Sequence, residues 1–231
     1  MIYVTGDTHI DHDIHKLNTS NFAEQKNLTK NDYVIICGDF GGVWDNSKAD
    51  KYWQEWLSSR NFTTLFVDGN HENFDLLKQY PVTERFGGPV QEIAPTVYHL
   101  CRGGVFHIDG AKFFVMGGAA SHDKMFRREG VSWWREEIPS NQEMLFGMDN
   151  LMKEGWSVDY ILTHCAPNAL EAKMAPWYEQ DSLTSYLQQV MERCEYKHWY
   201  FGHYHRDEDI DDKHTALYNR IIPIKSVTRD G

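Results

Sequence analysis

The chain has 231 residues, 41% of them apolar and 14% aromatic, a globular composition rather than a disordered one, and enough for one domain with a substantial core. Lys and Arg total 23 against 34 Asp and Glu, and the resulting net charge of −11 repels a phosphate backbone at long range, arguing against an extended nucleic-acid partner. The four cysteines (Cys37, Cys101, Cys165, Cys194) form no Cys-x-x-Cys pair, which excludes a zinc ribbon and a dithiol redox motif and leaves free, mostly buried thiols.

The opening run Met-Ile-Tyr-Val-Thr-Gly-Asp has no basic region and no long apolar stretch, and no segment approaches the length of a membrane span. A cytoplasmic protein with no membrane partner is expected. Buried strands are predicted at residues 2–5, 33–37, 63–67, 113–116, 160–163 and 199–201. Helices are predicted at 13–28, 48–60, 141–154 and 180–194, with Ser47 as N-cap of the second and Ser140 of the third. In the middle, 96–100, 104–108 and 111–116 read as short strands joined by hairpin turns at Arg102-Gly103 and Asp109-Gly110. Residues 215–218 and 221–225, split at Asn219-Arg220, look similar, and the acidic run 207–212 reads as a solvated turn. Strands alternating with helices predict an α/β fold, and the added antiparallel strands fit one mixed domain over 1–231 better than two.

Nearly every predicted strand ends in a polar cluster. Strand 2–5 runs into Gly6-Asp7-Thr8-His9, 33–37 into Gly38-Asp39, and 63–67 into Asp68-Gly69-Asn70-His71-Glu72. Strand 160–163 runs into His164, and 199–201 into Gly202-His203-Tyr204-His205. Ligand sites of α/β sheets form outside the carboxyl ends of strands, so five such ends would bring Asp, Asn and His side chains to one place. Each cluster alone has a plain reading as a turn or a satisfied histidine, but five in one order do not. Imidazole nitrogen with carboxylate or amide oxygen suits Mn, Fe, Co, Ni or Zn, not a calcium cage or a thiolate zinc site. Seven donors suit two divalent transition-metal ions sharing a bridging carboxylate. Such a pair, about 3.5–4 Å apart, clamps an in-line displacement at phosphorus.

With these five blocks, in order from residue 6 to 205, the chain resembles the calcineurin-like metallophosphoesterase superfamily. The resemblance implies two mixed β-sheets packed as a sandwich and flanked by helices. It implies that Asp7, His9 and His205 hold one ion, that Asn70, His164 and His203 hold the other, and that Asp39 bridges them. It also implies that His71 binds no metal and acts as general acid on the leaving group, a role suited to an imidazole near neutral pH. Gly42 stands where this family often has an Asp, which leaves the support of the metals in question, with Asp45 either compensating or a plain loop residue. Protein serine/threonine phosphatases of the superfamily carry Asp-Arg-Gly here, and this chain has Gly-Gly-Val-Trp.

Substrate signals are sparser. Arg127 and Arg128 read either as phosphate-binding guanidiniums or as a solvated pair. His122 reads as a loop histidine rather than a site residue. Trp133 and Trp134 invite a base-stacking reading, with packing favoured for one or the other, and Trp44 is open between the two. The expected function is hydrolysis of a small phosphomonoester or phosphodiester, a nucleotide for example. A metal-activated hydroxide attacks phosphorus, and Asn70 helps stabilise the phosphoryl oxygens. The rivals are a serine/threonine-type protein phosphatase and a catalytically silent interaction scaffold.

Overall fold

The structure, a computed structural model, describes residues 1–224. Its strands are β1 (Ile2–Thr5), β2 (Tyr33–Cys37), β3 (Thr63–Val67), β4 (Val82–Arg85), β5 (Gly88–Ala94), β6 (Val97–Leu100), β7 (Val105–Ile108), β8 (Ala111–Met116), β9 (Tyr160–Thr163), β10 (His198–Phe201), β11 (Glu208–Asp211), β12 (His214–Ala216) and β13 (Ile221–Ile224). The α-helices are α1 (Lys48–Ser58), α2 (Phe74–Leu77), α3 (Asn141–Lys153), α4 (Asn168–Met174) and α5 (Ser182–Arg193). They build two mixed sheets, one ordered β13-β1-β2-β3-β6-β5-β4 and the other β11-β12-β10-β9-β8-β7. Each has four parallel strands at its centre, β1-β2-β3-β6 and β8-β9-β10-β12. Antiparallel strands complete the edges.

Successive side chains of a strand point to opposite faces, so a strand covered on both sides reads as a continuous apolar run. Val4, Ile35, Leu65 and Val67 of the first sheet share one core with Phe113, Val115 and Leu162 of the second. The residues between them face outward. Val34, Ile36 and Phe66 pack on Trp53 and Leu57 of α1, and Phe114, Ile161 and Trp199 pack on Leu151 of α3 and Leu187 of α5. Ser47 caps α1 by accepting from the Ala49 and Asp50 amides, and Ser140 caps α3 in a reciprocal box with Glu143. Among the described residues no helix is long and apolar enough to cross a membrane. All four cysteines are free.

Several elements differ from the sequence reading. Residues 13–28 form two short 3-10 turns, Ile14–Leu17 and Ala23–Asn27, instead of one helix. The break falls at Asn18, whose Oδ1 accepts from the Ser20 and Asn21 amides at 2.8 Å each, a side-chain turn that competes with the helix. Arg102-Gly103 is not a hairpin turn, because β6 and β7 lie in different sheets. Arg102 turns inward there and grips the buried Asp68. Likewise β12 and β13 lie in different sheets rather than in one hairpin, and residue 225 lies outside the described residues. The acidic run forms the edge strand β11, paired antiparallel with β12. Its carboxylates are held by Arg220, Thr215 and His214, and charge on an edge strand discourages pairing with another chain.

Candidate metal centre

The cluster forms where β1, β2 and β3 of one sheet and β9 and β10 of the other reach their carboxyl ends. Asp7 and Asp39 are buried there to 0% and 2% exposure, and His164 to 0%. The chain closes round them with bent backbone: φ is positive at His9 (32°), Asp39 (46°), His203 (70°) and His205 (48°). Left-handed backbone costs energy in residues other than glycine, and four such positions in one cluster mark a geometry held by its surroundings. Gly69 and Gly202 are needed for close approach. A Cβ on Gly69 would overlap the Asp39 carboxylate, and one on Gly202 the Asp7 carboxylate.

Two groups of donors result. Ligand atoms of Asp7, His9, Asp39 and His205 all lie within 4.8 Å of one another. His9 Nε2 is 3.1 Å from Asp39 Oδ2, and His205 Nε2 is 3.2 Å from Asp7 Oδ2. On the other side, His164 Nε2 is 3.2 Å from Asp39 Oδ1 and 3.2 Å from Asn70 Oδ1, and the His203 ring lies 5.0 Å from the His164 ring. Asp39 therefore reaches both groups with one carboxylate.

Their surroundings aim these side chains. His164 Nδ1 donates to Cys37 O at 2.9 Å, and His9 Nδ1 faces Asp13 Oδ2 at 2.9 Å, so each ring keeps Nε2 for the cluster. Asn70 Nδ2 donates to Ser121 Oγ at 3.2 Å, which turns its carbonyl oxygen inward. The His205 ring stacks on Tyr218, whose hydroxyl donates to Asp13. The backbone amides of His203 and His71 donate to Asp7 Oδ1 and Asp39 Oδ1. Glu72 accepts from the Phe40 and Gly41 amides and ties the β2 and β3 ends together. Beneath them the buried Lys16 ammonium donates to the carbonyls of Gly6, Asp7 and Tyr218.

The electrostatics fit divalent cations. Burial opposes charge on His164, yet Asp39 and Asp7 raise it to about 10, and burial likewise opposes charge on His9, which Asp39, Asp7 and Asp13 raise to about 9. Burial and then the His164 cation push His203 down to about 3, leaving it a neutral donor. Asp39, despite its burial, is held well below the carboxylate range by His164 and His9. Asp7 Oδ2 is buried and accepts no hydrogen bond, an orphan that a cation would satisfy. The donor set, with two imidazole-poised carboxylates and an inward amide oxygen, fits two such ions.

The other predicted residues are placed as follows. His71 sits at the rim, its ring 5.3 Å from that of His9, with Arg127 Nη2 donating to its Nε2 at 3.3 Å. Arg127 is held by Asp123 at 2.8 Å and by Ser132 O. Arg128 is exposed, and its backbone engages Ser132. His122, read as a loop histidine, lies tilted against Tyr178 with ring centroids 3.6 Å apart and 5.7 Å from the His203 ring, so it flanks the cluster. Trp134 is buried and packs edge-on against Trp44, which settles both as packing residues. Phe40 and Ile10 fill the space that a side chain on Gly42 would need, and Asp45 accepts from the Ser47 amide in an exposed loop. Sequence alone gave no role to Asp13, Lys16, Glu72, Ser121 or Tyr218. Of these only Glu72, inside the Gly-Asn-His-Glu block, carried a local signal.

The fold is a sandwich whose two sheets gather Asp, Asn and His side chains at their strand ends. Residues 1–207 match the family model described as calcineurin-like phosphoesterase, and the chain belongs to that family. It is 30% identical over 120 residues to lariat debranching enzyme A of Xenopus laevis. That alignment covers 46% of this chain and 21% of the relative, so the chain spans about a fifth of that protein's length.

Proposed function

We propose that the protein hydrolyses a phosphomonoester or phosphodiester, a nucleotide or other small phosphoester first among them, at a dinuclear centre. Asp7, His9 and His205 would hold one divalent ion, Asn70, His164 and His203 the other, and Asp39 would serve both. The observation that carries this is the single Asp39 carboxylate, 3.1 Å from His9 Nε2 through one oxygen and 3.2 Å from His164 Nε2 through the other. Manganese, iron, nickel or zinc suits the mixed nitrogen and oxygen donors. When bound, such ions supply Lewis-acid activation of water and of the phosphoryl oxygens.

The remaining chemistry falls to the chain. The Asn70 amide, fixed by Ser121, is given the phosphoryl oxygens on which negative charge builds. Arg127 takes a phosphoryl oxygen, for which its planar fork of donors is suited. An arginine cannot accept a hydrogen bond, so His71 Nε2 carries a lone pair while Arg127 faces it. Once Arg127 turns to phosphate, that nitrogen is released to hold the proton that goes to the leaving oxygen. Arg128, exposed and engaged through its backbone, is given no part.

The test is hydrolysis of bis-p-nitrophenyl phosphate and of p-nitrophenyl phosphate by metal-stripped protein reloaded with Mn, Ni, Zn or Mg in turn. Faster diester turnover is the expected result, and loss of both activities in Asp39→Asn is its companion. A metal-replete protein inactive on every simple ester would overturn the reading in favour of a silent scaffold. The likeness to a lariat debranching enzyme makes a lariat a substrate to include, and the net charge of −11 argues against an extended strand.

A further inference from the structure

A second cavity, of about 550 Å³, opens between α2, the β4–β5 hairpin and α3. None of its lining residues is among the seven donors of the proposed centre. Its walls are apolar: Phe74, Leu77, Val82, Pro89 and Phe146. Val82 and Phe146 are 60% and 41% exposed, so the mouth displays apolar surface to water.

The floor is charged and almost dry. Asp68, His99 and Arg102 line it at 1%, 5% and 7% exposure. Gln91 Nε2 donates to the carbonyls of Leu77 and Tyr80, which fixes its Oε1 as acceptor toward His99 Nδ1 at 2.8 Å. His99 Nε2 donates to Asp68 Oδ1 at 3.0 Å. A ring that donates from both nitrogens is an imidazolium. Arg102 donates through Nε and Nη2 to Asp68 Oδ2 at 2.8 and 2.6 Å. Two buried cations thus share one carboxylate. The third nitrogen of Arg102, Nη1, has Glu143 Oε1 at 3.7 Å, beyond hydrogen-bond length. Glu143 is half-exposed, and its other oxygen is engaged by Ser140. Lys78 and Glu136 at the rim neutralise each other.

We propose that this cleft binds a small organic anion, a monocarboxylate with an apolar body. Its carboxylate takes the Arg102 Nη1 corner, where Glu143 Oε1 stands beyond hydrogen-bond length at 3.7 Å. Its body lies on Phe74, Leu77 and Phe146. The volume lies in the range of small-molecule sites, which combine apolar walls with a few convergent polar groups.

Isothermal titration of the metal-loaded full chain with decanoate, decanol and decyltrimethylammonium tests this. The chain length is constant and the head group varies. Decanoate is expected to bind at least about tenfold more tightly than decanol, and the ammonium not at all. Val82→Trp, at an exposed edge-strand position, is expected to fill the mouth and abolish decanoate binding while hydrolytic activity is unchanged. Because Arg102 also holds Asp68, the head-group series on the wild-type chain tests its role without a substitution that could unfold the protein. Equal binding of decanoate and decanol, undiminished binding in the Val82→Trp protein, or no heat with decanoate would each overturn the proposal. The second of these would point to carboxylate bound at the metals instead.

Discussion

His71 stands one residue beyond Asn70, its amide on Asp39 and its ring against Arg127. Burial first, and then the Arg127, His9 and His164 charges, lower its proton affinity, with Asp39 opposing. An acid so poised gives up its proton readily. His71→Ala should lose about 10²-fold or more in kcat on alkyl esters and far less on p-nitrophenyl esters, whose leaving groups need no proton. Metal content measured on the same preparations should not change; equal losses on both esters would rule out the acid role. Arg127→Ala should raise KM about tenfold through the missing phosphate contact, with a smaller change in kcat. The residues named from sequence were those attached directly to strand ends, where strand and donor are adjacent in the chain. Asp13, Ser121 and Tyr218 were not legible because their partners, His9, Asn70 and His205, are chosen by the fold. A lone Ser or Tyr carries no sign of what it will face.

Elements were legible where period and cap agreed. Ser140 precedes an amphipathic run with Glu three residues on, and α3 begins there. Ser140→Ala removes the hydroxyl that accepts from the Glu143 amide, while the Ser140 backbone N–H can still donate to the Glu143 carboxylate, and should cost about 1 kcal/mol in urea unfolding, with Ser140→Thr close to wild type. Residues 13–28 failed because local side-chain hydrogen bonds at Asn18 outbid a weak period, and the buried Lys16 is recruited by carbonyls far along the chain. The β4–β5 hairpin was missed for a different reason. Its residues are exposed or interrupted by Pro89, so no apolar run announces it. Turn chemistry was read correctly at Asp109-Gly110 and wrongly at Arg102-Gly103. A turn signal says that the chain bends, and whether it returns to the same sheet depends on what the bend buries.

At the scale of the molecule, the proposed centre sits between two sheets and holds protons when it holds no ions. His9 and His164, raised to about 9 and about 10 from 6.5, are both cations near neutral pH. Groups whose affinity for protons rises on folding stabilise the metal-free fold fully below about pH 6.5, and that contribution fades as pH climbs through 9 and 10. Ions require neutral imidazoles, so loading must expel these protons. A pH-stat titration at pH 7 with Mn should release about two protons per chain, and metal affinity should rise with pH up to about 10. No release would mean that the rings are already neutral. Metal removal by chelation should then make thermal stability fall with rising alkalinity, a slope that the loaded protein lacks.

The split between sheets also sets an order of events. Asp7, His9, Asp39 and Asn70 belong to the first hundred residues, His164, His203 and His205 to the ends of strands made much later, and β13 returns to flank β1. On a ribosome, the amino-terminal sheet emerges with half a coordination sphere and one edge uncovered. The cluster closes only when β10 is out, and the sheet that bears its carboxylates is finished only by the closing strand. In the proposed centre metal capture would thus be a late event of synthesis, because a chain stopped short of β10 has five of the seven donors and lacks His203 and His205.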